Sequence, residues 1–395
     1  MEMTELSEQP QTLPSRALPG ALLHSPVAFP AMPAGSGPSA WRRSELANDT
    51  RWILPLSKAA IAGLNRALAH AKACGKPMLG MSPEDFPLTG AALDELRLAT
   101  DATQRGFGLC LLRGLPVRDW SVDDAMLVFW GMGLHTGVAR TQGRSSDFMH
   151  HVRDEGGGNY RGKGGRGYNT NAALDFHCDF CDLVGLLCLN VARRGGQSFL
   201  TSSMAVHDEI ARRDPELLQA LYEPFHYSYQ GAQAPGDAPW FTCPIFGTRD
   251  GRFASRCNRK NVVAAHADFP DIAPRTARQH AAIELFEQVV RDPELCFSME
   301  LQPGDVQLLN NHVVLHSRSE FEDWPEPERK RHLLRFWLAL PQGQALPAGW
   351  KAGYQSVEAG TVRGGLRGSA ITPEFVAYEQ RLARFHGMAL PPATA

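Results

Sequence analysis

Strand-like segments lie at 107–111, 174–191 and 296–340, and much of what separates the last two reads as helix. Strands divided by such an insertion cannot all be joined by hairpin turns. They must pair across it, which favours stacked sheets over alternating strand-helix-strand units. Phe107, Leu109 and Leu111 alternate in Gly-Phe-Gly-Leu-Cys-Leu-Leu-Arg before a turn at Gly114-Leu115-Pro116, the two-residue period of a strand. Leu174 to Val191 reads as a strand pair. Strands follow at Phe297–Leu301, Val306–Leu309, Val313–Leu315 and Leu333–Leu340, the first two divided by a turn at Pro303-Gly304-Asp305.

The helices announce themselves by their ends. Ser57 suits the N-cap of a helix over 57–74, with Ile61, Leu64 and Leu68 at helical spacing and Gly75 as its stop. A second spans about 90–105. Others fall at 203–213, 215–222 (Asp214 as cap, Pro215 at the first helical position) and 276–291, and a last amphipathic helix starts at Thr372-Pro373 and carries Phe375, Leu382 and Phe385. The expected class is α+β with a mainly β core, a jelly-roll sandwich with flanking and inserted helices. Seven prolines between 10 and 38 disfavour helix and central strand, so residues 1–40 are expected to form an irregular arm or a disordered tail. Residues 41–395 are expected to form one domain, with a core over about 100–340 and a C-terminal helix over about 372–386.

With 40 basic and 42 acidic side chains, a net charge of −2 and no long block of one sign, neither nucleic acid nor a membrane is an expected partner. The N-terminal Met-Glu-Met-Thr-Glu lacks the cationic start and apolar stretch expected of a signal peptide, and no apolar run approaches roughly 18 residues. The expectation is a cytoplasmic protein acting on a small molecule and compatible with a homo-oligomer. In that setting eight cysteines read as reduced, buried thiols. Residues 154–168 hold seven glycines, a lid or a plain surface loop; the strand-to-helix context of a phosphate-binding fingerprint is missing.

The densest set of potential ligands is Asp175-Phe-His177-Cys-Asp179-Phe-Cys-Asp182. Strand alternation would turn His177 and Asp179 to one face and Cys178 to the other. A third ligand must come from elsewhere, and His312 and His316 both offer one. Two imidazoles and a carboxylate on one face of an iron leave three positions open, which suits a metal that takes a chelating co-substrate and then O₂. Cys178-x-x-Cys181 lacks a second pair, so burial outweighs zinc binding. His150 and His151 read as surface or lid residues, and Trp324 and Trp337 as core or rim aromatics.

Five ordered motifs narrow the choice: Gly106–Pro116, His177-Cys-Asp179, Gly195-Gly-Gln-Ser198, Pro303-Gly-Asp305 with Asn310-Asn311 and His316-Ser-Arg318, and Arg331-His-Leu-Leu-Arg335. Over roughly residues 100–340 they resemble the taurine dioxygenase (TauD/TfdA) family of iron(II)/2-oxoglutarate-dependent oxygenases. The resemblance implies a double-stranded β-helix, a cupin-like jelly roll. It implies Fe(II), 2-oxoglutarate and O₂ as metal and co-substrates, with His177, Asp179 and His316 as the iron ligands and His316 favoured over His312. Arg331 takes the place of the arginine on the distal carboxylate of 2-oxoglutarate, and Ser198 that of a threonine sharing this contact. Arg335 resembles a second arginine beside the substrate or co-substrate, and Asn171 lies where substrate contacts are common. Hydroxylation is the default outcome, and Asp179 retains the carboxylate whose loss would make room for a halide. Glu320–Glu328, acidic and rich in Trp and Pro, departs from the better-known sulfonate oxygenases, so the substrate does not carry over. Two rival readings are a non-catalytic protein that binds an organic acid and a zinc hydrolase.

Overall fold

The computed structural model describes residues 38–157, 166–368 and 371–391. The proline-rich arm, apart from Pro38, and the glycine-rich centre 158–165 lie outside them. Two sheets organise the chain. The larger runs β1 (Ile53–Pro55), β2 (Leu109–Arg113), β14 (Val306–Asn310), β6 (Leu183–Asn190), β17 (His332–Ala339) and β3 (Val138–Arg140), with β4 (Met149–Val152) also paired to β17. Only β1 and β2 are parallel, so this sheet is mixed. The smaller sheet is antiparallel, in the order β13 (Phe297–Met299), β8 (Ser198–Ser202), β15 (Val314–Arg318) and β5 (Leu174–His177).

The two-residue period decides which side chains face the site. Along β17, Leu334, Phe336 and Leu338 join an outer core, whereas Leu333, Arg335 and Trp337 turn toward a cavity between the sheets. On β2, Cys110 and Leu112 face outward and Leu109 and Leu111 inward. Helices 58–74, 91–105 and 373–386 cover the outer face, the first and last starting at the expected caps; Ser57 and Thr372 accept their cap hydrogen bonds. Phe385 departs from expectation. It is 50% exposed, while Phe375 and Leu382 are buried. The helix ends at His386, and Phe385 falls on the side turned to solvent.

Two further differences have physical causes. The helix Val122–Thr136 was not among the expected elements. Its interior is apolar on nearly every side, as burial of Val128–Leu134 requires, so the amphipathic period is weak; Ser121 with Asp123 and Asp124 was the available signal. Gly131 there packs where a Cβ would lie 2.2 Å from the Phe86 ring. The supposed strand pair 174–191 forms two strands in different sheets: the chain leaves β5 at His177, crosses through 178–182 and enters β6. The insertion also contains strand. β9 (Pro224–Ser228) pairs with β10 (Trp240–Pro244) and β11 (Phe246–Arg249) with β12 (Arg252–Ser255), followed by the helix Arg259–Asp268.

All eight cysteines are free, seven of them buried and Cys74 exposed. Among the described residues no helix is long and apolar enough to cross a membrane.

Candidate active site

His177 and His316 stand directly opposite each other in the β5–β15 ladder, and their rings are 4.4 Å apart. Asp179 lies two residues past the end of β5, so strand alternation alone does not aim it. Hydrogen bonds of the crossing segment do that. The Cys178 N–H donates to Cys257 O at 2.8 Å, the Asp179 N–H to Asn311 Oδ1 at 2.9 Å, and the Gly365 N–H to Phe180 O at 2.6 Å. The result places Asp179 Oδ1 3.8 Å from His177 Nε2 and Asp179 Oδ2 3.7 Å from His316 Nε2. One ligand atom from each residue lies within 4.8 Å of the others. Neighbouring ligands of a bound transition ion sit about 3 Å apart, so modest closure onto a metal completes the triad.

The donor chemistry fits iron. His177 Nδ1 lies 2.8 Å from Asp175 O; a carbonyl only accepts, so Nδ1 carries the proton and Nε2 keeps its lone pair for a metal. Burial, helped by nearby His177, drives His316 down to about 3, which leaves it a neutral ligand at physiological pH. Burial pushes the Asp179 carboxyl up, but Arg335, the two histidines and the Trp337 N–H outweigh it and hold the group below the usual carboxylate range. Trp337 Nε1 donates to Asp179 Oδ2 at 2.9 Å. This ring, expected to be core or rim, orients the carboxylate.

His312 is no competitor. β14 ends at Asn310, the chain turns through 311–313, and four-residue spacing therefore does not put His312 and His316 on one strand face. His312 Nε2 instead meets Asp182 Oδ1 at 2.9 Å, where Arg363 also binds, a buried network away from the cavity.

The cavity is lined by Ser198, Arg331 and Arg335, together with Leu174, Leu186, Leu301 and Leu333. Arg331 is 6% exposed, yet its Nη1 has no hydrogen-bond partner among the described residues; burial lowers its pKa to about 10. An unpaired guanidinium behind apolar walls matches a short dicarboxylate entering carboxylate first. The segment 320–328 supports it: Phe321 lies beneath the guanidinium at 5.0 Å, and Asp323 Oδ1 accepts from the Arg331 N–H at 2.7 Å. Gly196, at φ +77°, leaves room, since a Cβ there would press on Arg331 Nε at 3.0 Å. Ser198 shares a hydrogen bond with Gln307. Arg335 binds Gln142 Oε1 at 2.7 Å and approaches Asp179 Oδ1 at 3.6 Å.

The structure does not bring Asn171 to this cavity; its side chain is exposed, and its carbonyl accepts from the Phe321 N–H. Of the two histidines beside the glycine-rich segment, His150 is buried with its ring tilted against Tyr168, while His151 pairs with His332. The far wall was not visible in sequence. It comes from the insertion, through Gln230, Arg256, Asn258, Lys260 and Asn261.

Residues 71–337 match the profile of the taurine catabolism dioxygenase TauD, TfdA family. The chain belongs to the TauD/TfdA family. It is 30% identical over 315 residues to the FR-33289 synthase of Streptomyces rubellomurinus, covering 79% of this chain and 92% of that one. It is 28% identical over 306 residues to the taurine hydroxylase-like protein SAT17 of Stachybotrys chartarum, covering 75% and 77%. A solved asparagine oxygenase, in complex with Fe(II), 2S,3S-3-hydroxyasparagine and succinate, shares the fold with a TM-score of 0.52 at 16% identity, over 81% of this chain and all of that one. This TauD/TfdA protein is thus an iron(II)- and 2-oxoglutarate-dependent oxygenase.

Proposed function

We propose that His177, Asp179 and His316 hold the ferrous ion, that Arg331 with Ser198 anchors the distal carboxylate of 2-oxoglutarate, and that the chain hydroxylates a small molecule seated against the insertion. The observation that carries this reading is the convergence of three ligand atoms within 4.8 Å in a cavity that also holds the unpartnered Arg331 Nη1. The two sheets around this cavity are read as the halves of a double-stranded β-helix, and residues 41–395 as one oxygenase domain.

When bound, iron and 2-oxoglutarate supply the oxidation: one O₂ is consumed, 2-oxoglutarate becomes succinate and CO₂, and a substrate C–H becomes C–OH. The residues of this chain bind and orient. Asp175 O fixes the tautomer of His177. Trp337 and Asn311 fix the carboxylate of Asp179 and its backbone. Arg335, beside Asp179 and joined to Gln142, would offer its charge to the co-substrate or to the substrate. Leu186, Leu301 and Leu333 exclude water from the co-substrate's methylenes.

The test is succinate release from 2-oxoglutarate with Fe(II) and ascorbate across a metabolite library, alongside His177→Ala and Asp179→Ala. Substrate-dependent succinate in the parent and none in the variants is the expected result. Equal succinate from parent and variants would overturn the assignment of the ligands.

A further inference from the structure

The cavity holds more positive charge than its expected occupants can match. Among the described residues, Arg166, Arg256, Lys260, Arg318, Arg331 and Arg335 line it against a single lining carboxylate, Asp179, and the charge of Asp175 acts on Lys260. Arg335 faces Asp179, Arg331 serves the co-substrate in the reading above, and Arg318 donates to the Thr170 and Ala172 carbonyls. Arg256 and Arg166 have no such account. Arg256 is 2% exposed, neither its Nε nor its Nη1 has a hydrogen-bond partner, and among the described residues no carboxylate comes within ion-pair distance. Nη2 of Arg166 is likewise buried with no hydrogen-bond partner among the described residues.

A buried guanidinium without an anion is costly, and the structure fixes this one in place. The Arg256 N–H donates to Ile245 O at 2.7 Å, its carbonyl accepts from the Tyr227 hydroxyl, and its guanidinium lies 4.3 Å from the Phe180 ring centroid and 5.1 Å from that of Tyr227. The rings offset part of the cost of dehydration. They do not satisfy its N–H groups. Two residues on, Asn258 bridges to His177 and caps the ten-residue helix Arg259–Asp268, whose first turn presents Lys260 and Asn261 to the same cavity. The positive end of that helix therefore adds to the field of Arg256.

We infer that Arg256, together with the start of the helix Arg259–Asp268 and Arg166, forms a subsite for a dianionic tetrahedral oxyanion, the phosphate or phosphonate group of the substrate to be oxidised. A planar monoanion would leave one of the two guanidinium groups unmatched, whereas a phosphorus oxyanion carries two charges and three oxygens to share among the donors lining this part of the cavity. The subsite rests on the oxygenase reading, since it assumes that 2-oxoglutarate occupies Arg331.

Anaerobic enzyme loaded with Fe(II) and 2-oxoglutarate is titrated calorimetrically with inorganic phosphate, methylphosphonate and acetate. Phosphate and methylphosphonate are expected to bind saturably and acetate at least tenfold more weakly; Arg256→Met weakens the phosphorus oxyanions at least tenfold while the visible Fe(II)–2-oxoglutarate charge-transfer band persists. Should Arg256→Met fail to fold, Lys260→Met carries the test, with at least a threefold loss expected. Acetate binding as tightly as phosphate, or phosphate affinity unchanged in the folded variant, overturns the subsite. Absence of the charge-transfer band in the parent would instead overturn the oxygenase reading, whatever phosphate does.

Discussion

Replacing Arg331 by methionine separates what this side chain costs the empty protein from what it contributes to the co-substrate complex. Burial moves its pKa from 12.5 to about 10, and at about 1.4 kcal/mol per tenfold that displacement makes the charged form about 3 kcal/mol less favourable folded than unfolded. Arg331→Met keeps most of the aliphatic stem and removes the charge. The protein without co-substrate is therefore expected to melt no lower than the parent and up to a few degrees higher. In the complex the balance reverses. Two charge-assisted hydrogen bonds at roughly 1.5–3 kcal/mol each are lost, which raises the Kd for 2-oxoglutarate by at least about 100-fold. Differential scanning fluorimetry reads the first quantity and anaerobic titration of the charge-transfer absorbance the second. An unchanged Kd in Arg331→Met with a large rise in Arg335→Met would refute the reasoning and exchange the roles of the two arginines.

Trp337→Phe deletes the N–H that Asp179 Oδ2 accepts while retaining an aromatic ring; Fe(II) affinity should fall roughly 10- to 100-fold, measured by competition with a chromophoric chelator, and an unchanged affinity would remove Trp337 from the site. Acid should destabilise the fold early. Burial lowers His150 to about 3 and His332 to about 4, below the usual histidine value near 6.5, so between about pH 6 and pH 4 the unfolded chain binds protons that the folded one does not. Stability is then lost as pH falls through that window, by up to about 2–3 kcal/mol per pH unit, and urea unfolding in His150→Gln should show a shallower slope if His150 contributes.

Where a local rule governs, the residues alone were enough. Ser57, Asp214 and Thr372 cap helices because a short oxygen-bearing side chain can accept an N–H that a helix leaves open, and alternation along 333–337 turns Arg335 into the cavity beside Asp179. His177, Asp179 and His316, the proposed ligands, could be picked out because a ligand set and its ordered flanking motifs survive as residue identities, and the fold brings the three together. Tertiary structure decided the rest. Asp179 is aimed by donating its N–H to Asn311 and accepting from Trp337, 132 and 158 residues away, and no local period encodes such partners. His312 was removed from the site by a turn that broke its strand. Arg256, ordinary in sequence, became a buried cation with no counter-ion among the described residues only when the insertion folded back against His177, because burial and charge balance belong to the assembled cavity and not to any segment that lines it.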